Sequence, residues 1–263
     1  MKRCLLYIFF EFCVISLQAQ ETQPNGRLGE EFNYPLKKFG FVSPRYSRTN
    51  YDDAKYLESY FIRSVFTFFD RTHFRFDVPV LTNTNLNSDD KPVFGLGDMN
   101  FKITQIVGNK GDLYYGANAL FTFPTAGNAS LGSGKWMVDP GVGFIYFIPN
   151  KGGSASFIVD YNFSYAGAST RPDISVLGIA PNIDKWFKKG YIGYYATWTY
   201  NFKNKIWDIP LDVEAGYPIA KQFTFSVEYI LPLLANTTYN SSWSLKLRYA
   251  FLMRQYRKSS LTK

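Results

Sequence analysis

Few residues of this chain belong to the types that catalysis requires. The sequence contains one histidine, His73, which follows the short polar segment Asp70-Arg71-Thr72, a composition typical of a turn. A lipid hydrolase needs a nucleophile, a base and an orienting group within hydrogen-bond reach of one another. One histidine beside a turn, with no paired carboxylates standing out, does not indicate such a group. We therefore predict no catalytic residue.

The positions of the cysteines and the lack of known cofactor motifs also give no indication of a catalytic or metal-binding site. Both cysteines, Cys4 and Cys13, lie within an N-terminal segment that has the features of a signal peptide. The mature chain would then have no disulfide, thiol nucleophile or thiolate metal site. The sequence also lacks a phosphate-binding loop, a zinc motif and a dinucleotide fingerprint. We predict neither a bound metal nor a cofactor.

Charged residues instead occur in rows that alternate with large apolar residues. In WSLKLRYAF, Trp243 to Phe251, every second residue is apolar and basic or small residues stand between them. Successive side chains of a strand point to opposite faces, so such a segment has one apolar and one polar face. Nine charged residues, on or beside these polar faces, are our candidates for lining the lumen of a barrel: Arg75, Asp98, Lys102, Asp160, Asp212, Glu214, Glu228, Lys246 and Arg248.

The charge content of these rows indicates where the polar faces lie. A soluble barrel that buried this mixture of charges in its core would incur a severe desolvation cost. In a transmembrane barrel the apolar faces meet lipid and the polar faces line the lumen. The 25 Phe, 20 Tyr and 5 Trp also suit a membrane interface, which favours amphipathic rings. We predict an all-β fold, a transmembrane antiparallel up-and-down β-barrel.

The strand number follows from the turns and from the positions of the termini. Eleven strand-like segments lie between residues 57 and 251, and tight turns alternate with longer loops along the chain. Bacterial single-chain barrels have an even number of strands. A first strand at Leu36 to Ser43, followed by the loop SPRYSRTNYDDAK, would make the number even. We predict about twelve strands, within a range of ten to fourteen.

The N-terminus indicates export. Lys2 and Arg3 precede an apolar run from Leu5 to Leu17, and Ala19 provides a plausible cleavage point. We divide the chain into a signal peptide (1–19), a periplasmic N-terminal segment (20–35), an outer-membrane β-barrel (36–252) and a short C-terminal tail (253–263). The expected location is the cell outer membrane, reached after signal-peptide cleavage.

One central block resembles a known family. It comprises FGLGDMNFKI (Phe94 to Ile103), LFTFPTAGNASLGSGKW (Leu120 to Trp136) and DPGVGFIYFI (Asp139 to Ile148). These segments are similar to the outer-membrane transporters named for the phenol-degradation MetA pathway. Gly95-Leu96-Gly97-Asp98 matches one hallmark, and Pro124-Thr125 matches another, with Ala126 inserted before Gly127. The resemblance implies a β-barrel that transports small compounds, including hydrophobic ones.

These observations predict a porin or transporter that passes small solutes. An outer-membrane lipid-modifying enzyme and a structural or adhesive surface barrel are the alternatives. The net charge of +8 is dispersed along the chain, which argues against nucleic acid as a partner. The expected partners are outer-membrane lipid, an unidentified small solute and the barrel-assembly machinery, since Trp243 to Phe251 resembles the aromatic-ended closing strand that this machinery reads.

Overall fold

The computed structural model describes residues 39–51, 55–68, 71–84, 92–128, 130–148, 152–187, 189–220, 222–234 and 239–252. The proposed signal peptide (1–19), N-terminal segment (20–35) and tail (253–263) lie outside the described residues. The described residues form an all-β structure, and they contain no helix with the length and apolar character needed to cross a membrane. Its strands are β1 (Phe39–Asn50), β2 (Tyr56–Phe68), β3 (Thr72–Thr84), β4 (Val93–Gly95), β5 (Met99–Lys110), β6 (Leu113–Phe123), β7 (Lys135–Ile148), β8 (Gly153–Gly167), β9 (Ser175–Phe187), β10 (Gly190–Tyr195), β11 (Trp198–Asn201), β12 (Ile206–Asp208), β13 (Pro210–Ala220), β14 (Phe223–Pro232) and β15 (Ser241–Leu252).

These segments form one closed antiparallel barrel. Each long strand pairs with its neighbours in the sequence, and β15 pairs with β1 from Phe39↔Leu252 to Asn50↔Ser241. The segment Trp243 to Phe251 is therefore the closing strand. Closure leaves the barrel without the unpaired edges that would be costly in lipid.

Fifteen segments make twelve barrel strands because three strands are interrupted. Segments β4 and β5 both pair with β3, and β10 and β11 both pair with β9. Segments β12 and β13 follow each other with only Ile209 between them. The sequence predicted 95–107 and 191–201 as continuous strands and placed 206–207 in a loop, and the predicted total of twelve is confirmed.

The connections differ in length at the two ends of the barrel. Connections of two to four residues follow β2, β5, β7, β9 and β13. Connections of five to eleven residues follow β1, β3, β6, β8 and β14, and strand alternation places them, with the four-residue connection after β11, at the opposite end. We call these the tight-turn end and the long-loop end. Phe39 and Leu252, where the described barrel begins and ends, both lie at the tight-turn end.

The first strand is longer than expected from the sequence. Residues 44–50, expected in a loop, continue β1, and the connection to β2 begins at Tyr51. Ser43, Arg45 and Ser47 alternate with Pro44, Tyr46 and Arg48, so neither face of this stretch is apolar enough to give an alternating signal. Its pairing with both β2 and β15 makes it a strand.

The two faces of the barrel wall differ sharply in chemistry. On β14, the apolar side chains of Phe225, Val227 and Tyr229 are exposed, whereas Ser226 and Glu228 between them are buried. The same alternation holds along β3, β13 and β15. An apolar exterior around a polar interior is the arrangement of a transmembrane barrel.

Candidate functional site: the barrel interior

Twelve inward-facing charged residues lie near the middle of their strands, and we call them the central charge layer. Eleven of them are buried, and Asp160 is partly buried. The layer has six basic and six acidic residues: Arg45, Arg63, Arg75, Lys102, Lys246 and Arg248, with Asp77, Asp139, Asp160, Asp212, Glu214 and Glu228. Equal numbers of opposite charges reduce the cost of removing them from water.

One part of the layer is an arginine group on β1 to β3. Asp77 accepts two hydrogen bonds from Arg63, from Nε to Oδ1 and from Nη2 to Oδ2, both at 2.6 Å. The Nε of Arg75 lies 3.3 Å from Asp77 Oδ2. Arg45 is close enough to interact electrostatically with the same carboxylate, and its Nε donates to Ser43 Oγ at 3.1 Å. Three guanidinium groups thus surround one carboxylate.

A second part has the opposite balance of charge. Glu214 and Glu228 are register partners on β13 and β14, and Lys246 of β15 bonds to both. The Lys246 Nζ lies 2.6 Å from Glu214 Oε2. Tyr191 of β10 also donates to Glu214. Asp212, which is fully buried, interacts electrostatically with both glutamates and with Lys246.

Lys102 forms the third part with two aspartates. It interacts electrostatically with Asp139 of β7 and Asp160 of β8, which lie within hydrogen-bonding reach of each other. The strand register brings these residues together, since Lys102 pairs with Leu120 and Leu120 with Asp139. The layer therefore extends around the barrel wall from β1 to β8 and from β13 to β15.

Apolar side chains fill the interior on the tight-turn side of this layer. Ile106, Ile145, Trp186 and Tyr191 belong to one buried cluster, with Tyr114 and Phe147 packed against it. A second buried cluster consists of Phe41, Val65 and Ala250. Because these side chains and the charge layer are buried, the described residues leave no wide aqueous channel through the interior.

Eight of the nine predicted lumen residues belong to the central charge layer. Asp98 does not, because it lies in the connection between β4 and β5 at the long-loop end. Its carboxylate accepts hydrogen bonds from the backbone and hydroxyl of Ser133, and from the Ala126 backbone at 3.2 Å. Asp98 thus fixes the connection that joins β6 to β7. The Gly-Asp and Pro-Thr motifs of the sequence meet here, since Thr125 Oγ1 donates to the Gly97 carbonyl.

Sequence reasoning placed Asp77 on a polar strand face without selecting it as a lumen candidate, and it did not single out three other residues of the layer. Arg63 lies between Ile62 and Ser64, in a segment that lacks a regular alternation of apolar and polar residues. Arg45 lies in the stretch expected to be a loop, and Asp139 was considered only as the start of a motif. Strand pairing, which the sequence does not specify, determines which of these charges meet.

The histidine lies inside the barrel on β3, beside the tight turn that follows β2. His73 is 1% exposed, and its Nδ1 lies 2.9 Å from Thr67 Oγ1 on the neighbouring strand. In the part of the chain that the structure describes, no cluster of three or more histidine, cysteine or carboxylate side chains is arranged to hold a metal ion.

Comparisons with known proteins are consistent with this architecture. An outer-membrane channel from Pseudomonas putida F1 superposes with a TM-score of 0.61 at 14% identity, covering 85% of this chain and 99% of that one. The NanC porin gives 0.57 at 9% identity, covering 81% and 100%. The KdgM porin in complex with disordered oligogalacturonate gives 0.57 at 12% identity, covering 80% and 99%. At these low sequence identities, the structural similarity shows only that this chain has the same barrel fold. No family model and no curated protein sequence matches this chain.

Proposed function

We propose that this protein is a narrow outer-membrane channel that passes small solutes and performs no chemistry on them. The observation that carries the proposal is the central charge layer, because a barrel that served only as a scaffold could fill the same volume with apolar side chains. Replacing buried ion pairs by well-packed apolar residues is often neutral or stabilising. A layer of ionic groups therefore has a use other than stability, and contact with a polar solute is that use.

The layer favours small polar solutes over hydrophobic ones. An apolar molecule that crossed it would separate ionic groups from their partners without replacing the lost hydrogen bonds. A polar solute can exchange its own hydrogen bonds with those of the layer. Oligogalacturonate, present in a solved KdgM structure, is a saccharide, and saccharides are the first class to test.

The proposal also covers location and assembly. An apolar exterior with long loops at one end suits the outer membrane, with the tight turns in the periplasm and the loops outside. Export through a cleaved signal peptide and recognition of β15 by the barrel-assembly machinery belong to the same proposal. The resemblance to the phenol-degradation MetA transporters supports the transport role.

Liposome swelling tests this function. Purified, folded protein is reconstituted, and uptake is measured for neutral and charged saccharides of increasing size. We expect uptake of the smallest saccharides and a steep fall with size, because the interior is packed. Uptake equal to that of protein-free liposomes for every solute, from protein shown to be folded by its gel shift on boiling, would contradict the proposal.

A further inference from the structure

A group of aromatic side chains lies on the outer surface of the barrel at the long-loop end. We call Tyr161, Phe163, Tyr200, Phe202 and Trp207 the outer aromatic cluster. Its ring centroids are 5.5 Å apart for Tyr161 and Phe163, 6.0 Å for Tyr161 and Phe202, 5.0 Å for Tyr200 and Phe202, and 5.1 Å for Tyr200 and Trp207. Thr199, the neighbour of Tyr200, is buried, so Tyr200 points outward.

A basic turn lies directly beside this cluster. The residues Lys203, Asn204 and Lys205 join β11 to β12, next to Phe202. Asn201 Oδ1 accepts hydrogen bonds from the backbone of Lys203 at 3.0 Å and of Asn204 at 3.1 Å. The Lys205 backbone donates to the Asn201 carbonyl at 2.7 Å. These bonds hold both lysines at a fixed position beside the rings.

Lys205 has a left-handed backbone conformation, which is energetically unfavourable for a residue that carries a side chain. Its φ of 56° makes it the one non-glycine residue with positive φ among those described. Glycine or asparagine adopts this conformation at lower cost. An observed outlier of this kind is a reason to look for a role of the side chain. Lys205 is therefore a candidate for a functional side chain.

The charge around the turn is predominantly positive. Asp173 of the neighbouring connection is shared between Lys135, whose Nζ lies 2.8 Å from it, and Lys203, at 3.4 Å. These hydrogen bonds lower the pKa of Asp173 and keep it ionised. The buried Lys135 and the exposed Lys203 thus share one carboxylate, and Lys205 adds a further positive charge to the turn. The turn can therefore attract a further anionic group.

We propose that the outer aromatic cluster and the β11–β12 turn bind a phosphate-bearing glycolipid of the outer leaflet. Aromatic side chains at a membrane interface contact acyl chains and sugar rings with their apolar surfaces. Lys203 and Lys205 would contact the phosphate at headgroup level, where lysine acts as a compact point charge. The aromatic rings of β8, β11 and β12 lie beside the two lysines of the β11–β12 turn. Lipid binding at this place does not depend on whether the barrel conducts.

Thermal unfolding of the full barrel in detergent micelles tests the proposal. The probes are bisphosphorylated lipid A, the same lipid without phosphates, and phosphatidylglycerol. We expect bisphosphorylated lipid A to raise the unfolding temperature by several degrees, more than either other lipid. The variant K203Q/K205Q should lose at least half of that increase. The matched control K110Q/K189Q, with two exposed lysines at the tight-turn end, should keep it.

Lys205→Gly separates binding from folding. It relieves the positive-φ strain, so it should not lower the unfolding temperature without lipid, yet it should reduce the lipid-dependent increase. The proposal is overturned if K203Q/K205Q and K110Q/K189Q show equal increases. It is also overturned if phosphate-free lipid A or phosphatidylglycerol stabilises the wild-type protein as much as the bisphosphorylated form.

Discussion

At the scale of single residues, the stability of the barrel is sensitive to the loss of one partner from a buried group of charges. Arg63 and Arg75 are almost completely buried, and both contact the carboxylate of Asp77. Removing one partner of a buried ionic group costs far more than removing an exposed ion pair, because the remaining charge stays in a low-dielectric environment.

Asp77→Ala should therefore lower the free energy of unfolding by roughly 3–5 kcal/mol. Urea-induced unfolding in lipid vesicles, followed by tryptophan fluorescence, measures this loss. The control is Glu58→Ala, which removes the carboxylate paired with Arg48 and should have a smaller effect, because the Arg48 side chain keeps access to water. Equal losses for the two variants would show that burial does not govern the energetics of the layer.

Gly216 shows how a small residue supports the layer. A Cβ atom added there would overlap the ring of Tyr191, which donates a hydrogen bond to Glu214. We expect Gly216→Ala to displace this ring and destabilise the folded barrel, whereas Gly127→Ala, with open space around it, should be neutral. The gel shift between boiled and unboiled samples at increasing temperature reports both effects. A neutral Gly216→Ala would mean that the ring can move at no cost.

At the scale of strands, β15 shows how alternation assigns the two faces. Leu247 is 37% exposed on the outer surface, whereas its neighbour Lys246 is 1% exposed inside the barrel. Because Leu247 lies near the middle of the strand, its side chain should meet the hydrocarbon core of the membrane. The cost of a charge on the lipid face depends on depth.

Leu247→Arg should destabilise the barrel by roughly 2–4 kcal/mol, the cost of arginine near the bilayer midplane. Leu96→Arg, which replaces an equally large side chain in the connection before β5, should cost about 0–1 kcal/mol, since that site is close to the interface. The fraction of folded protein after refolding into vesicles measures the difference. If the ranking is reversed, the outer surface of β15 does not face lipid.

The same strands show how far sequence reasoning extends. Alternation of apolar and polar residues is strong in β13, β14 and β15, so the face of each residue could be predicted. The number of strands was predicted from the alternation of short and long connections. Residues 44–50 carry polar side chains on both faces, so their strand could not be recognised. The contacts of Lys246 with Glu214 and Glu228 depend on the pairing of three strands, which local sequence does not encode. Asp98 is charged like the lumen residues, but local sequence does not show that it lies in the connection between β4 and β5.

At the scale of the whole molecule, the proposed function requires the central charge layer to control passage through a narrow barrel. Twelve strands fall between small barrels filled by side chains and the 16–18-stranded porins with aqueous channels. A packed interior of that size predicts single-channel steps much smaller than those of a wide porin. It also predicts that lumen charge, rather than surface charge, sets ion selectivity.

Single-channel recording in planar bilayers, with a salt gradient to measure ion selectivity, tests this claim most directly. The variants are Glu228→Gln, inside the layer, and Glu58→Gln, which removes a carboxylate paired with Arg48 on the outer face. We predict small discrete steps for the wild-type protein, a shift of the reversal potential toward anion selectivity for Glu228→Gln, and no shift for Glu58→Gln. The absence of steps from folded wild-type protein, or equal shifts for the two variants, would contradict the account.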